Sequence, residues 1–120
     1  MKVLVIDDSG IMRKMITRAL RQADVGVEET LEAENGAEGL ESFQANSPDL
    51  VLCDWNMPVM DGLEFVQKAS ASAPTPIIML TTEGTDEKMG LAKEAGAKGY
   101  VTKPFTPEKL GAAISELMGS

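Results

Sequence analysis

Five short runs of strand-forming residues alternate with five stretches of helical pattern along this sequence, and this alternation constrains its fold more than any other feature. Four of the runs are almost wholly apolar, at 3–6, 50–53, 77–80 and 99–101, and are typical of strands buried on both faces. A fifth run, 28–33, is rich in glutamate, which suits an edge strand because charge discourages pairing with other chains.

Apolar residues recur at helical spacing after the first strand and predict the first helix. They are Ile11, Met12, Met15, Ile16, Ala19 and Leu20. Further helices are predicted at about 36–46, 62–72, 85–95 and 107–118, the last with Thr106 as its N-cap and Pro107 in its first position. Gly90 and Gly111 fall inside two of these helices, where each costs about 1 kcal/mol relative to alanine. The alternation therefore predicts an α/β fold, a doubly wound five-stranded parallel sheet with right-handed crossovers and helices on both faces.

Composition limits the possible function classes. With 120 residues and 43% apolar residues, we expect one domain over 1–120 and no second one. A net charge of -8 argues against DNA as a ligand, and the absence of histidine excludes histidine-based catalysis on this chain. Cys53 has no partner for an internal disulfide, and the short apolar runs suit neither a signal peptide nor membrane insertion. We therefore expect a soluble cytoplasmic protein.

Polar residues stand where the predicted strands end. Strand one is followed by Asp7 and Asp8, strand three by Asp54, strand four by Thr81 and Thr82, and strand five by Lys103. Because ligands bind beyond the carboxyl ends of strands in open α/β sheets, these side chains define the candidate site. The bond between Lys103 and Pro104 is of the X-Pro type, and a cis isomer there would direct the lysine inward.

The residue types at this sheet edge indicate a metal-assisted phosphoryl chemistry. Two carboxylates about 4 Å apart repel by about 4 kcal/mol at an effective dielectric near 20, so three together need a cation. Oxygen ligands without histidine favour Mg²⁺, and the backbone carbonyl of Asn56 could complete the set. Asp54 could then act as a nucleophile toward a phosphoryl group, with Lys103 and the Thr81 hydroxyl neutralising the phosphoryl oxygens.

Four motifs carry a resemblance to a known family. They are "VLVIDDS" at 3–9, "DWNMPVMDG" at 54–62, "MLTTE" at 79–83 and "GYVTKPF" at 99–105. In order and spacing the chain resembles, over nearly its whole length, the receiver domain of two-component response regulators, and it is most similar to the stand-alone, CheY-like chemotaxis regulators.

The resemblance implies a flavodoxin-like strand order 2-1-3-4-5 and roles for individual residues. It implies that Asp54 is the phosphoacceptor and that Lys103 contacts the phosphoryl group. Asp7 and Asp8 would hold Mg²⁺ together with Asp54 and the Asn56 carbonyl. Thr81 and Tyr100 would form the switch pair.

The resemblance also implies partners. A histidine kinase would be the phosphodonor, and a separate downstream effector protein would bind the face made by helix four, strand five and helix five. The chain would catalyse its own phosphotransfer and dephosphorylation but act on no external substrate.

Asn56 and Glu83 occupy positions that influence phosphoryl hydrolysis in this family, and we expect a short-lived phosphoform. Trp55 is expected to be a partly exposed ring beside the site.

Several alternatives remain open at this stage. Arg13, Lys14, Arg18 and Arg21 on helix one form either a solvated face or a kinase-docking surface. The chain could be a phosphate sink or an adaptor in another two-component pathway. A small aspartyl-phosphate phosphatase would need a D-x-D nucleophile and usually a cap, and a flavodoxin-like electron carrier would need a phosphate loop and more aromatic residues. An inactive receiver-like module is disfavoured because every site residue is present.

Overall fold

The structure is a computed structural model of the chain, and it describes residues 1–82 and 84–118. The described residues form five strands and five helices in strict alternation. In chain order they are β1 (Lys2–Ile6), α1 (Gly10–Ala23), β2 (Glu29–Ala33), α2 (Gly36–Asn46), β3 (Leu50–Cys53), α3 (Gly62–Ser72), β4 (Ile77–Thr81), α4 (Asp86–Ala95), β5 (Gly99–Thr102) and α5 (Pro107–Leu117).

The five strands form one parallel sheet in the order β2-β1-β3-β4-β5, which confirms the predicted architecture. The edge position of glutamate-rich β2 is also confirmed. β4 and β5 each extend one residue beyond the predicted strands, because Thr81 pairs with Thr102 and so continues the ladder. Within the described part of the chain, no helix is both long and apolar enough to span a membrane.

Each face of the sheet is covered by its own apolar layer. Alternate residues of a strand point to opposite faces, so Leu4 and Ile6 join one layer while Val3 and Val5 join the other. The first layer also contains residues of α2, α3 and α4, and the second contains residues of α1 and α5. Burial on both faces is the physical reason that the central strands read as unbroken apolar runs.

Each helix begins with a side chain that caps its first turn. The five N-caps are Ser9, Asn35, Asp61, Thr85 and Thr106, and each accepts a hydrogen bond from the backbone N–H three residues further on. The predicted Thr106 cap and the position of Pro107 are confirmed. Because the helices follow the strands, these caps place the helix starts at the edge of the sheet where the polar residues lie.

The two glycines inside helices have different surroundings. A methyl group on Gly111 would lie 3.0 Å from the Cβ of Ala23, so the glycine allows close packing between α5 and the end of α1. At Gly90 the corresponding space holds no described atom within 4 Å apart from its own neighbours and helix backbone. Packing therefore accounts for Gly111, whereas nothing in the described structure requires a glycine at position 90.

Candidate functional site

The backbone of the candidate site continues the parallel sheet beyond its strands. Three site residues donate their N–H groups to carbonyls of the neighbouring strand. These bonds are Asp7 to Ala33 (3.1 Å), Asp54 to Ile6 (2.9 Å) and Lys103 to Thr81 (2.8 Å). These backbone hydrogen bonds fix the Cα positions of the three residues. The order of the strands therefore brings residues that are distant in the sequence together at this edge.

Three carboxylates meet at this edge, as the sequence predicts. Asp7, Asp8 and Asp54 each offer an oxygen that lies within 4.8 Å of the other two. Asp7 is 2% exposed and Asp54 is 9% exposed, whereas Asp8 is open to solvent. The cluster therefore has two largely buried members and one that faces outward.

Lys103 supplies the positive charge inside this cluster. Its Nζ lies 2.9 Å from Oδ2 of Asp7 and 3.4 Å from Oδ1 of Asp54. The peptide bond between Lys103 and Pro104 is cis, as the hypothesis of an inward-directed lysine requires. The cluster has three carboxylates, and Lys103 contacts two of them, so negative charge remains in excess at the site.

The environment of Asp54 disfavours its ionised form. Burial raises the pKa of Asp54 above its ordinary value of 3.8, and the Asp7 carboxylate raises it further, whereas the Lys103 ammonium and the Trp55 N–H lower it in part. The Trp55 N–H donates to Oδ1 of Asp54 at 2.8 Å, and this is the oxygen that also faces Lys103. An additional cation near Asp54 would stabilise the carboxylate, because it would offset both the burial and the neighbouring negative charge.

The donor set fits a small divalent cation. Its members are hard carboxylate oxygens that converge from two adjacent strands, and one of them, Asp8, is exposed and reachable from solvent. Mg²⁺ prefers oxygen ligands and usually retains several waters, so a half-open acidic pocket suits it. Asn56 is exposed in the loop two residues after Asp54, and the contribution of its carbonyl stays a prediction.

Arg13 reaches this site, a contact that the sequence does not predict. Its Nη1 donates to the backbone carbonyl of Asp7 at 2.6 Å, and its Nε donates to Oε1 of Glu32 at 2.9 Å. Lys14, Arg18 and Arg21 on the same helix are exposed. No sequence pattern separates Arg13 from these neighbours, because the difference arises from which helix face lies over the end of β1.

The loop between β3 and α3 is packed tightly against the site. Met57 and Met60 pack on the core. Gly62 is needed here because a side chain would overlap the carbonyl oxygen of Asp54. Trp55 is 5% exposed, so the prediction of a partly exposed ring is wrong. The ring belongs to the core layer, and the Lys88 ammonium of α4 lies 4.8 Å from its centroid.

The predicted switch residues lie on the two strands next to the site. Thr81 is fully buried at the end of β4, and Tyr100 is half-buried on β5. Met79 pairs with Tyr100, and Thr81 pairs with Thr102. Because alternate residues of a strand point to the same face, Thr81 and Tyr100 lie on the same face of the sheet. Thr82 is exposed, and Glu83 lies outside the described residues. The switch role stays a prediction.

Comparison with known proteins identifies the class. The response regulator receiver domain family matches residues 3–115, and the chain belongs to this family. It is 44% identical to the chemotaxis protein CheY1 of Helicobacter pylori strain J99, over all of this chain and 98% of that protein. It is 42% identical to a CheY homolog of Campylobacter jejuni, over all of this chain and 94% of that protein.

Solved structures agree with the fold. The structure of Vibrio cholerae chemotaxis protein CheY4 is similar with a TM-score of 0.86 and 41% identity, over 97% of each chain. The receiver domain of the Francisella response regulator 1452 is similar with a TM-score of 0.87 and 28% identity, over 98% of this chain and 96% of that one. These similarities, together with the strand order, confirm the fold that the sequence predicts.

Proposed function

We propose that this chain is a phosphorylation-activated signalling switch of chemotaxis, a single receiver domain over 1–120 that takes a phosphoryl group from a histidine kinase onto Asp54. The observation that carries the proposal is the position of Asp54 between the Lys103 ammonium and two further carboxylates. The similarity to chemotaxis proteins over the whole chain supports the pathway. The proposal places this action in the cytoplasm.

In the proposed reaction, a carboxylate oxygen of Asp54 attacks the phosphorus atom of the donor. A new O–P bond forms, the bond between phosphorus and the donor's histidine nitrogen breaks, and the departing imidazole keeps the bonding electrons. Lys103, already within 3.4 Å of Asp54, would contact a phosphoryl oxygen, and the Thr81 hydroxyl would contact another. Attack of water on the same phosphorus would release phosphate and restore Asp54. We expect this hydrolysis to be fast.

Asp7, Asp8, Asp54 and the Asn56 carbonyl would hold Mg²⁺ in this proposal. When bound, the cation supplies positive charge that offsets the carboxylates and the transferring phosphoryl group. The raised pKa of Asp54 supports this role, because burial and the Asp7 carboxylate both disfavour the charged form that a cation would stabilise. Asp8 is exposed and gives the cation access from solvent.

The downstream effector would bind the face made by α4, β5 and α5. A groove of about 560 Å³ lies between α4 and β5, with Met89, Lys93 and Tyr100 among its walls. Met89 and Leu91 are large apolar side chains that α4 leaves exposed. Movement of Thr81 toward the phosphoryl group and of Tyr100 inward would change the shape of this groove, which is how a local charge change would reach the partner.

A phosphatase with its nucleophile on β1 fits the structure poorly. Asp7 is 2% exposed, its Oδ2 is paired with Lys103, and its Oδ1 accepts from the Ser9 N–H at 2.9 Å. A nucleophile needs an accessible oxygen. Asp54 is therefore the better phosphoacceptor in this cluster.

Trp55 emission provides the test, because its backbone N–H contacts Asp54 and it is the single tryptophan of the chain. We would titrate Mg²⁺ and then add beryllium fluoride or a small-molecule phosphodonor, with Asp54→Asn as the matched control. We expect a saturable change with Mg²⁺ and a second change with the phosphoryl mimic that Asp54→Asn abolishes. If the folded protein responds to neither, or if Asp54→Asn responds like the unaltered chain, the proposal fails.

A further inference from the structure

Arg13 bridges two strands at the edge of the metal-binding cluster. Its side chain is 18% exposed, and it donates to the Asp7 carbonyl and to Glu32 at the same time. A guanidinium can do this because its N–H groups point in fixed, different directions, whereas an ammonium acts as a single point charge. The bridge therefore uses a property that is specific to arginine.

The carbonyl that Arg13 holds is the oxygen of the peptide bond between Asp7 and Asp8. This peptide group is planar, so a hydrogen bond that holds its oxygen also fixes the orientation of the N–H and Cα of Asp8. The other polar groups of Asp7 are also engaged: its N–H with Ala33, Oδ1 with the Ser9 N–H and Oδ2 with Lys103. Arg13 thus supplies the last of four contacts that hold Asp7 in one position, and its contact is with the peptide group that leads to Asp8.

We propose that Arg13 is a positioning residue for the divalent cation: by holding the peptide between Asp7 and Asp8 it presents the two carboxylates to Mg²⁺ together. The inference rests on the proposed function, because it assumes that Asp7, Asp8 and Asp54 form the metal site. Glu32 on β2 completes the arrangement by holding the other side of the guanidinium. In this proposal Arg13 acts through the two carboxylates and would itself contact neither the metal nor the phosphoryl group.

A purely electrostatic role and a positioning role for Arg13 predict opposite changes in Mg²⁺ affinity when the residue is removed, which makes the inference testable. The positive charge of Arg13 repels a divalent cation, so a purely electrostatic role means that its removal tightens Mg²⁺ binding. A positioning role means that removal weakens binding, and loss of a residue that orients metal ligands typically costs 10-fold to 100-fold in affinity. The direction of the change therefore separates the two accounts.

The experiment is a Mg²⁺ titration of Trp55 emission, repeated by calorimetry so that the affinity does not depend on one probe. We expect Arg13→Ala to weaken Mg²⁺ binding about 10-fold. Arg13→Lys keeps the charge but loses the two-way donor geometry, and we expect an intermediate affinity. Arg18→Ala is the matched control, since it removes the same charge from an exposed position on the same helix; we expect its affinity to stay within about twofold. Thermal unfolding in a chelator checks that all four chains are folded.

Several outcomes would overturn the inference. Tighter or unchanged binding in Arg13→Ala, or a loss equal to that of Arg18→Ala, contradicts a positioning role while leaving the phosphoacceptor site intact. If Arg13→Ala does not fold, Arg13→Lys decides, because it keeps the charge: weaker binding supports the inference, and unchanged binding overturns it. If the unaltered chain binds no Mg²⁺, the inference and the proposed function fail together.

Discussion

Helices α3 and α4 lie on the same side of the sheet and contact the same apolar layer, yet they are held very differently. α3 buries Gly62, Phe65, Val66 and Ala69, whereas α4, all of whose residues are described, buries Ala92 alone. α4 also leaves Met89 and Leu91 exposed. Because buried apolar area is the main source of stability, α3 is anchored and α4 is not.

This difference matches what each helix would do in the proposed switch. α3 follows directly on the loop that carries Asp54, and a phosphoacceptor has to be held in a fixed geometry. α4 lies on the face proposed for the effector, and an element that shifts at low cost must have few buried contacts. The comparison suggests that the fold separates a rigid reaction centre from a responsive surface, and four experiments can break or sharpen that view.

The largest expected effect comes from removing the anchor of α3. Phe65 is fully buried and makes an edge-to-face contact with Phe43, with ring centroids 6.0 Å apart. Phe65→Ala should lower the free energy of unfolding by about 3–5 kcal/mol. Leu91→Ala on α4, where the side chain is 40% exposed, should change it by less than about 1 kcal/mol. Urea denaturation measures both, and comparable losses at the two sites would show that α4 is as firmly anchored as α3.

The same substitution at two glycines should have opposite effects on the two helices. In Gly62→Ala the added methyl group meets the Asp54 carbonyl oxygen and the Met79 side chain, and such overpacking costs about 1–3 kcal/mol. In Gly90→Ala the methyl group enters open space, and the helix gains about 1 kcal/mol. Unfolding curves in a chelator check both values.

Gly90→Ala carries a second consequence for the comparison. If a loosely held α4 is part of the switch, a stiffer α4 should reduce the response of an effector to the phosphoryl mimic without weakening Mg²⁺ binding. A destabilised Gly90→Ala would contradict the open surroundings of this position. A Gly62→Ala chain with unaltered stability and Mg²⁺ affinity would contradict the tight packing of the loop after β3.

Much of this arrangement could be predicted from the sequence because it depends on local patterns. The five strands, the N-cap of α5 and the meeting of Asp7, Asp8, Asp54 and Lys103 all follow from periodicity and from the parallel order of the strands. In each case the pattern is carried by residues close together in sequence or by the fact that strand ends share one edge.

The features that escaped prediction depend on contacts between distant segments or on an unusual backbone. Arg13 differs from its basic neighbours only by the helix face on which it lies, and the burial of Trp55 depends on α4 reaching across it. Val59 has a φ of 70° and is 83% exposed. A β-branched residue rarely adopts this left-handed conformation, so the sequence gives no sign of it where a glycine or asparagine would have done so.

The contribution of Asp54 to the stability of the fold should depend on pH. The folded chain holds the pKa of Asp54 above 3.8, so at neutral pH the ionised carboxylate lowers the stability of the fold. As the pH falls through the folded pKa toward 3.8, the folded state takes up its proton first and this cost disappears. Asp54→Asn should therefore unfold at a higher temperature than the unaltered chain at pH 7, and the difference should shrink as the pH falls toward 4.

The control for this pH dependence is Glu41→Gln, which neutralises an exposed residue on α2. We expect its unfolding temperature to follow that of the unaltered chain closely over the same pH range. An Asp54→Asn chain that is less stable at pH 7, or whose advantage grows in acid, would mean that the attraction of Lys103 outweighs burial and the repulsion of Asp7.

The smallest effect is expected for the contact between a charged side chain of α4 and the Trp55 ring. Lys88 places its ammonium over the ring of Trp55, and a cation–π contact of this kind is worth about 0.5–1 kcal/mol. Lys88→Met keeps an apolar side chain over the ring but removes the charge, so we expect a small loss of stability and a shifted Trp55 emission in the absence of Mg²⁺. Lys93→Met, at an exposed position on the same helix, should leave the emission unchanged.

If Lys88 restrains α4 in the resting state, Lys88→Met should also bind the effector more readily without a phosphoryl group. Effector binding that is unchanged, with altered emission, would mean that the contact reports on α4 without restraining it.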